Sequence, residues 1–180
     1  MNVQVIYASR TGCTEKVATA IYEGISAETK SLHNLKDGIP ALDGDIILVG
    51  YWGVSGGPSE DVQAFLKTIQ GKTVGVFCTL GYYADSAHAR DTIEAGLNLL
   101  KDHNEILGAY VCNGAVAQEL IDGQGLGEPH TPTEQKEIRW EVTASHPTAA
   151  ECALAAERFR ERIYLYNRCK ELHIPFQSIL

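Results

Sequence analysis

Three short stretches of this chain combine residue types that could hold a ligand. The first, Ser9-Arg10-Thr11-Gly12-Cys13-Thr14, places three hydroxyls, one glycine, one thiol and one cation between an apolar run and a helical pattern. A helix beginning near Thr14 leaves several backbone N–H groups without intrahelical partners, and its dipole favours negative charge there. Ser9, Thr11 and Thr14 add hydroxyl donors, Gly12 lets the backbone approach closely, and Arg10 supplies a positive charge. The stretch reads as an anion cradle, although the same residue types also build ordinary helix caps.

The second stretch is Tyr51-Trp52-Gly53-Val54-Ser55-Gly56-Gly57-Pro58, and the third is Thr79-Leu80-Gly81-Tyr82-Tyr83-Ala84-Asp85-Ser86. Each puts aromatic side chains beside flexible backbone, a composition suited to holding a planar ligand by stacking. Aromatics that merely cover helix ends would look similar in one loop; their presence in two, opposite an anion cradle, favours a ligand. No G-x-x-x-x-G-K-[ST] is present and no G-x-G-x-x-G follows the first strand, so pyrophosphate and triphosphate loops are excluded. The string GQGLG at 123–127 has the glycines but no strand directly before it. A planar aromatic system bearing one terminal phosphate describes flavin mononucleotide (FMN) better than other common cofactors.

These loops need a scaffold, and the hydrophobic pattern supplies one. VQVIYA (3–8), DIILVG (45–50), TVGVFCT (73–79) and ILGAYVC (106–112) are short, apolar and β-branched, as strands buried on both faces are. TKSLHNL (29–35) is a weaker strand that suits a sheet edge. Helical spacing of apolar residues follows each of the first three strong strands: Val17, Ala18, Ile21 and Ile25; then Val62, Phe65, Leu66 and Ile69; then Ile93, Leu97 and Leu100. After Asn113 the rhythm breaks until Thr148-Ala149-Ala150-Glu151, which has the spacing of a capping box. The helix it opens would bury Cys152, Ala155, Ala156, Phe159, Ile163 and Tyr166, and the tail from Leu172 would pack as a strap. Strand–helix alternation predicts an α/β fold, a parallel sheet between helix layers. The three ligand loops all leave carboxyl ends of strands and so converge on one rim, where such sheets bind ligands.

The chain has 180 residues, enough for one domain with a real core, so residues 1–180 are expected to form a single domain. Its formal net charge of −8 makes nucleic acid and anionic membranes poor partners and suits basic protein surfaces. Five dispersed cysteines without a C-x-x-C pair, no secretory segment and no membrane-length apolar run predict a cytoplasmic protein with reduced thiols. No His or Cys pair has metal-site spacing, no Ser/His/Asp set is suggested, and no side chain stands out as a general acid or base. His88 and His146 fall at helix starts, and His103 and His130 read as exposed.

YASRTGCT (7–14) resembles the phosphate loop of flavodoxins, and the element order matches theirs. VGYWGVSGGPSEDVQAFL, GVFCTLGYYADSAHA and GAYVCNGAV…ASHP are similar to a bacterial flavodoxin-like subfamily with G-x-W-x-x-x-G, T-L-G-x-Y-x-D-S-x-H-A and a late S-H-P. The resemblance spans residues 3–170. It implies a three-layer sandwich with a five-stranded parallel sheet in the order 2-1-3-4-5. It also implies that Ser9 to Thr14 bind the FMN phosphate, with Tyr51, Trp52, Gly53 and Val54 on one side of the ring and Thr79, Leu80, Gly81, Tyr82 and Tyr83 on the other. A peptide carbonyl at Gly53, Gly56 or Gly57 would face the flavin N5 atom. Cys13 departs from the family's frequent asparagine. The irregular stretch at about 113–147 is longer than the fold needs, and it is expected to cover the ligand or to present a partner surface, with a short helix near 134–140. The implied function is electron transfer by a monomer between redox partner proteins. The alternative is a small FMN-dependent oxidoreductase acting on a quinone or a porphyrinogen-type substrate.

Overall fold

The structure, a computed structural model, describes residues 1–122 and 134–178, so the glycine string at 123–127 and His130 lie outside the described residues. Its five strands are β1 (Asn2–Tyr7), β2 (Thr29–Asn34), β3 (Ile46–Trp52), β4 (Thr73–Leu80) and β5 (Glu105–Asn113). All pair in parallel, in the order β2-β1-β3-β4-β5. The helices are α1 (Cys13–Gly24), α2 (Glu60–Leu66), α3 (Ala87–Asn98), α4 (Gln118–Ile121), α5 (Glu134–Thr143) and α6 (Ala149–Glu171). The strands of the central sheet fall where the apolar runs predict them, and β2 is the half-exposed edge.

Strand alternation divides the core into two layers. Val3, Val5, Tyr7, Leu48 and Phe77 face α1 and α6, where they meet Val17, Ile21, Phe159 and Ile163. Ile6, Ile47, Val49, Tyr51 and Val76 face α2 and α3, against Val62, Phe65, Leu97 and Leu100. Gly50 is opposite Phe77 in the β3–β4 register, and a Cβ there would come within 2.1 Å of the Phe77 ring. That close approach is why this strand position is a glycine.

The capping box forms as the spacing predicts. The Thr148 hydroxyl accepts from the Glu151 N–H at 3.2 Å, and the Glu151 carboxylate accepts from the Thr148 N–H at 2.6 Å. The tail packs back as a strap: Phe176 sits edge-on to Tyr166 at 5.3 Å, and Ser178 Oγ accepts from the Ile106 N–H on β5. The stretch expected to be irregular carries two helices, α4 and α5, the second over the charged run expected to be helical.

Candidate functional site

At the switch in strand order, β1 and β3 send their following loops in diverging directions, and the crevice between them opens above the carboxyl edge of the sheet. Arg10 and Thr11 from the first loop, Trp52 to Ser55 from the second and Thr79 to Gly81 from the third line one cavity of about 180 Å³. Its remaining wall is a segment from beyond β5: Gly114 to Ala117 and Leu120. The long stretch after β5 therefore reaches the rim shared by the three loops.

The anion end of this cavity is open. Gly12 is the N-cap of α1 at φ 84°, no side chain caps the first turn, and a Cβ on Gly12 would meet nothing within 4 Å. The left-handed backbone explains the glycine. Ser9 Oγ is buried and has no hydrogen-bond partner among the described residues, which calls for an absent acceptor or donor. Arg10 lies 3.9 Å from Glu119 of α4, so the loop's cation is matched with an acid from the covering segment. Ser9 itself lines not this cavity but a neighbouring cleft that also borders Trp52. The uncapped N–H groups and the guanidinium form a donor set that suits a phosphate.

Two of the expected contacts point elsewhere. Thr14 is 1 % exposed, and its hydroxyl is 2.9 Å from that of Thr79, which is also buried. Tyr51 is fully buried because strand alternation turns it toward α3, where its hydroxyl donates to the Thr92 carbonyl at 2.9 Å. Burial pushes that hydroxyl's pKa up. Only backbone is left to Tyr51 at the rim, whereas Trp52, the next residue, lines the cavity.

Cys13 is buried too, and its Sγ accepts from the Ala115 N–H at 3.2 Å. It thereby ties the start of α1 to the covering segment, while the Ala115 N–H also reaches the His146 carbonyl at 3.1 Å. His146 itself pairs with Glu151 at 2.7 Å, so it pins the segment's far end to α6.

In the second loop, Ser55 (φ 49°) and Gly56 (φ 88°) form a tight turn closed by paired bonds between Val54 and Gly57. Gly53 donates its N–H to the Thr79 carbonyl at 2.9 Å, which holds the second and third loops together. Gly81 packs under Val116: a Cβ there would come within 2.3 Å of Val116 Cγ2.

Tyr82 and Tyr83 stand outside the cavity wall. Tyr82 carries the Arg139 guanidinium on its ring at 4.4 Å and touches Tyr83 and His88 edge-on, and Tyr83 is 46 % exposed. The stretch expected to cover the ligand, including Gly114 to Val116 of the GAYVCNGAV string, does reach the cavity, but the sequence does not single out Gly114 to Ala117, Leu120 and the clamp Arg139 as site residues. Small apolar residues and a lone arginine in a segment without periodicity carry no signal beyond the segment's departure from the same rim. Among the described residues, no group of three His, Cys, Asp or Glu side chains is placed to hold a metal, and no helix is long and apolar enough to cross a membrane.

A family model described as flavodoxin domain matches residues 4–160. Among curated proteins, the flavodoxin-like domain-containing protein BilS of Clostridioides difficile (strain CD3) is 33 % identical over 123 residues, covering 67 % of this chain and 70 % of that protein. Among solved structures, oxidised flavodoxin 2 of Bacillus cereus aligns over 90 % of this chain and 99 % of its own, with a TM-score of 0.57 at 17 % identity. The Fusobacterium nucleatum flavodoxin bound to flavin mononucleotide aligns over 93 % and 97 %, with a TM-score of 0.55 at 15 % identity.

Proposed function

The chain belongs to the flavodoxin family, and we propose that it binds FMN at the rim cavity and carries electrons between redox partner proteins. The observation that carries this reading is the uncapped first turn of α1, with Arg10 and Thr11 in the cavity wall beside it and Trp52 in the same wall. Bound FMN would supply the redox chemistry; the chain supplies binding and electrostatics. Ser9, Arg10, Thr11 and the N–H groups after Gly12 would hold the phosphate, and Trp52, Gly53, Thr79, Leu80 and Gly81 would flank the ring.

A cavity of about 180 Å³ is smaller than small-molecule sites usually are, roughly 300–1,000 Å³. FMN would therefore extend out of the cavity at the open rim. The start of the wall at 114–120 is tied by the Ala115 N–H to Cys13 and by the Gly114 N–H to the Leu80 carbonyl, and its Arg10–Glu119 pair is a weak restraint.

A carrier needs a surface for its partners. Next to the rim, α5 exposes Ile138 (61 %) and Val142 (52 %), and its Glu134, Glu137 and Glu141 are also exposed. An apolar stripe among carboxylates suits a partner with a basic rim.

The fourth wall built by Gly114 to Ala117 favours a second reading, a small FMN-dependent oxidoreductase whose substrate, a quinone or a porphyrinogen, would bind under that segment. Stopped-flow mixing of the FMN-loaded, reduced protein separates the two. Rapid one-electron reduction of cytochrome c with no turnover of NADH or NADPH supports the carrier. Steady nicotinamide oxidation with a quinone as acceptor supports the enzyme.

A further inference from the structure

Trp52 borders two cavities: the rim cavity and a separate cleft of about 600 Å³ between α2 and the chain that follows β2. The second cleft has the volume of a small-molecule site, and the rim cavity does not. Leu35, Ile39, Val62 and Phe65 join Trp52 in a mostly apolar lining, and Ile39 is 67 % exposed at its edge. An isoleucine so placed leaves apolar surface in water that a ligand would cover.

The charges in this cleft are one cation, Lys36, and one anion, Asp61, both exposed. They cancel, so the cleft offers no net attraction to either a cation or an anion. Val62 and Phe65 are almost fully buried at the floor, and Trp52, which is partly exposed, favours an aromatic ring packed in offset or edge-on contact.

From these features we infer that the outer cleft is a second binding site, for an uncharged, planar, largely apolar molecule packed against Trp52. Trp52 borders both cavities, so its indole N–H reports on occupancy of the cleft. The inference concerns the apo chain as well as the loaded one and stands whether or not FMN binds at the rim.

Titration of the 15N-labelled full chain with 2-naphthol, with and without saturating FMN, tests it by NMR. Saturable shifts of the Leu35, Ile39, Val62 and Phe65 amides and of the Trp52 indole N–H are expected in both titrations. Ala64 is exposed on α2 and lines the cleft, so Ala64→Trp should fill it and weaken 2-naphthol binding by tenfold or more, with FMN affinity changed less than twofold. Should Ala64→Trp lower the melting temperature, Ile39→Asp at the exposed edge should weaken binding as well. Shifts confined to Arg10, Gly53 and Gly81, loss of binding when FMN is added, no saturation, or unchanged affinity in both variants would overturn the assignment.

Discussion

Arg10 and Glu119 face each other at 3.9 Å across the mouth of the rim cavity, one from the loop after β1 and one from α4 beyond β5. A phosphate at the start of α1 competes with Glu119 for that guanidinium. Glu119 is 57 % exposed, so the pair is worth little. Glu119→Gln should therefore tighten FMN binding by roughly two- to fivefold at low salt, and less as salt is raised. Arg10→Gln should weaken it by about tenfold or more, the worth of a charge-assisted hydrogen bond. Quenching of FMN fluorescence measures both.

Gly96 of α3 makes room for the Tyr51 hydroxyl: a Cβ there would lie 2.3 Å from it. Gly96→Ala must push Tyr51 away from the Thr92 carbonyl inside the closed core. A net cost of about 1–3 kcal/mol follows, seen as a melting-temperature drop of roughly 3–10 °C by calorimetry. An unchanged melting temperature would show that this helix yields.

Burial alone would raise the pKa of Glu151, but the N–H and hydroxyl of Thr148 and the ring of His146 outweigh it and hold the carboxyl below its ordinary 4.5. A depressed carboxyl stabilises the fold above that ordinary value, and the contribution fades as pH falls through the lower folded value. Glu151→Ala should cost about 1 kcal/mol at pH 7. The gap between variant and parent in urea unfolding should close below pH 4.

Of the five cysteines, four are buried and Cys152 is half-buried. Burial also pushes the Cys78, Cys112 and, less deeply buried, Cys152 thiols up, which leaves little thiolate near neutral pH. Ellman's reagent at pH 8 should label at most Cys152 quickly in the folded protein and the other thiols only on unfolding. Fast labelling of Cys13 would show that the covering segment at Ala115 opens readily.

The strands and the layering were legible in the sequence because doubly buried parallel strands write themselves as apolar runs, and the Thr148 capping box writes its own spacing; the strand order followed from the resemblance to flavodoxins. The loops were legible for the same reason: glycine, hydroxyl and aromatic residues cluster where strands end. Side-chain direction at strand ends was not. Whether Tyr51 or Trp52 faces the rim depends on where β3 stops, and a shift of one residue exchanges them. Thr14 was read as a donor to ligand because its preference for Thr79 depends on a contact 65 residues away. The wall at 114–120 rests on contacts to Cys13 and Gly81 that no periodicity announces.

Equilibrium dialysis of the purified chain against FMN and, separately, riboflavin tests the central claim most directly. A cradle for one phosphate predicts one FMN retained per chain, with riboflavin bound at least a hundredfold more weakly. Equal affinity for the two, or no retained FMN, would contradict it.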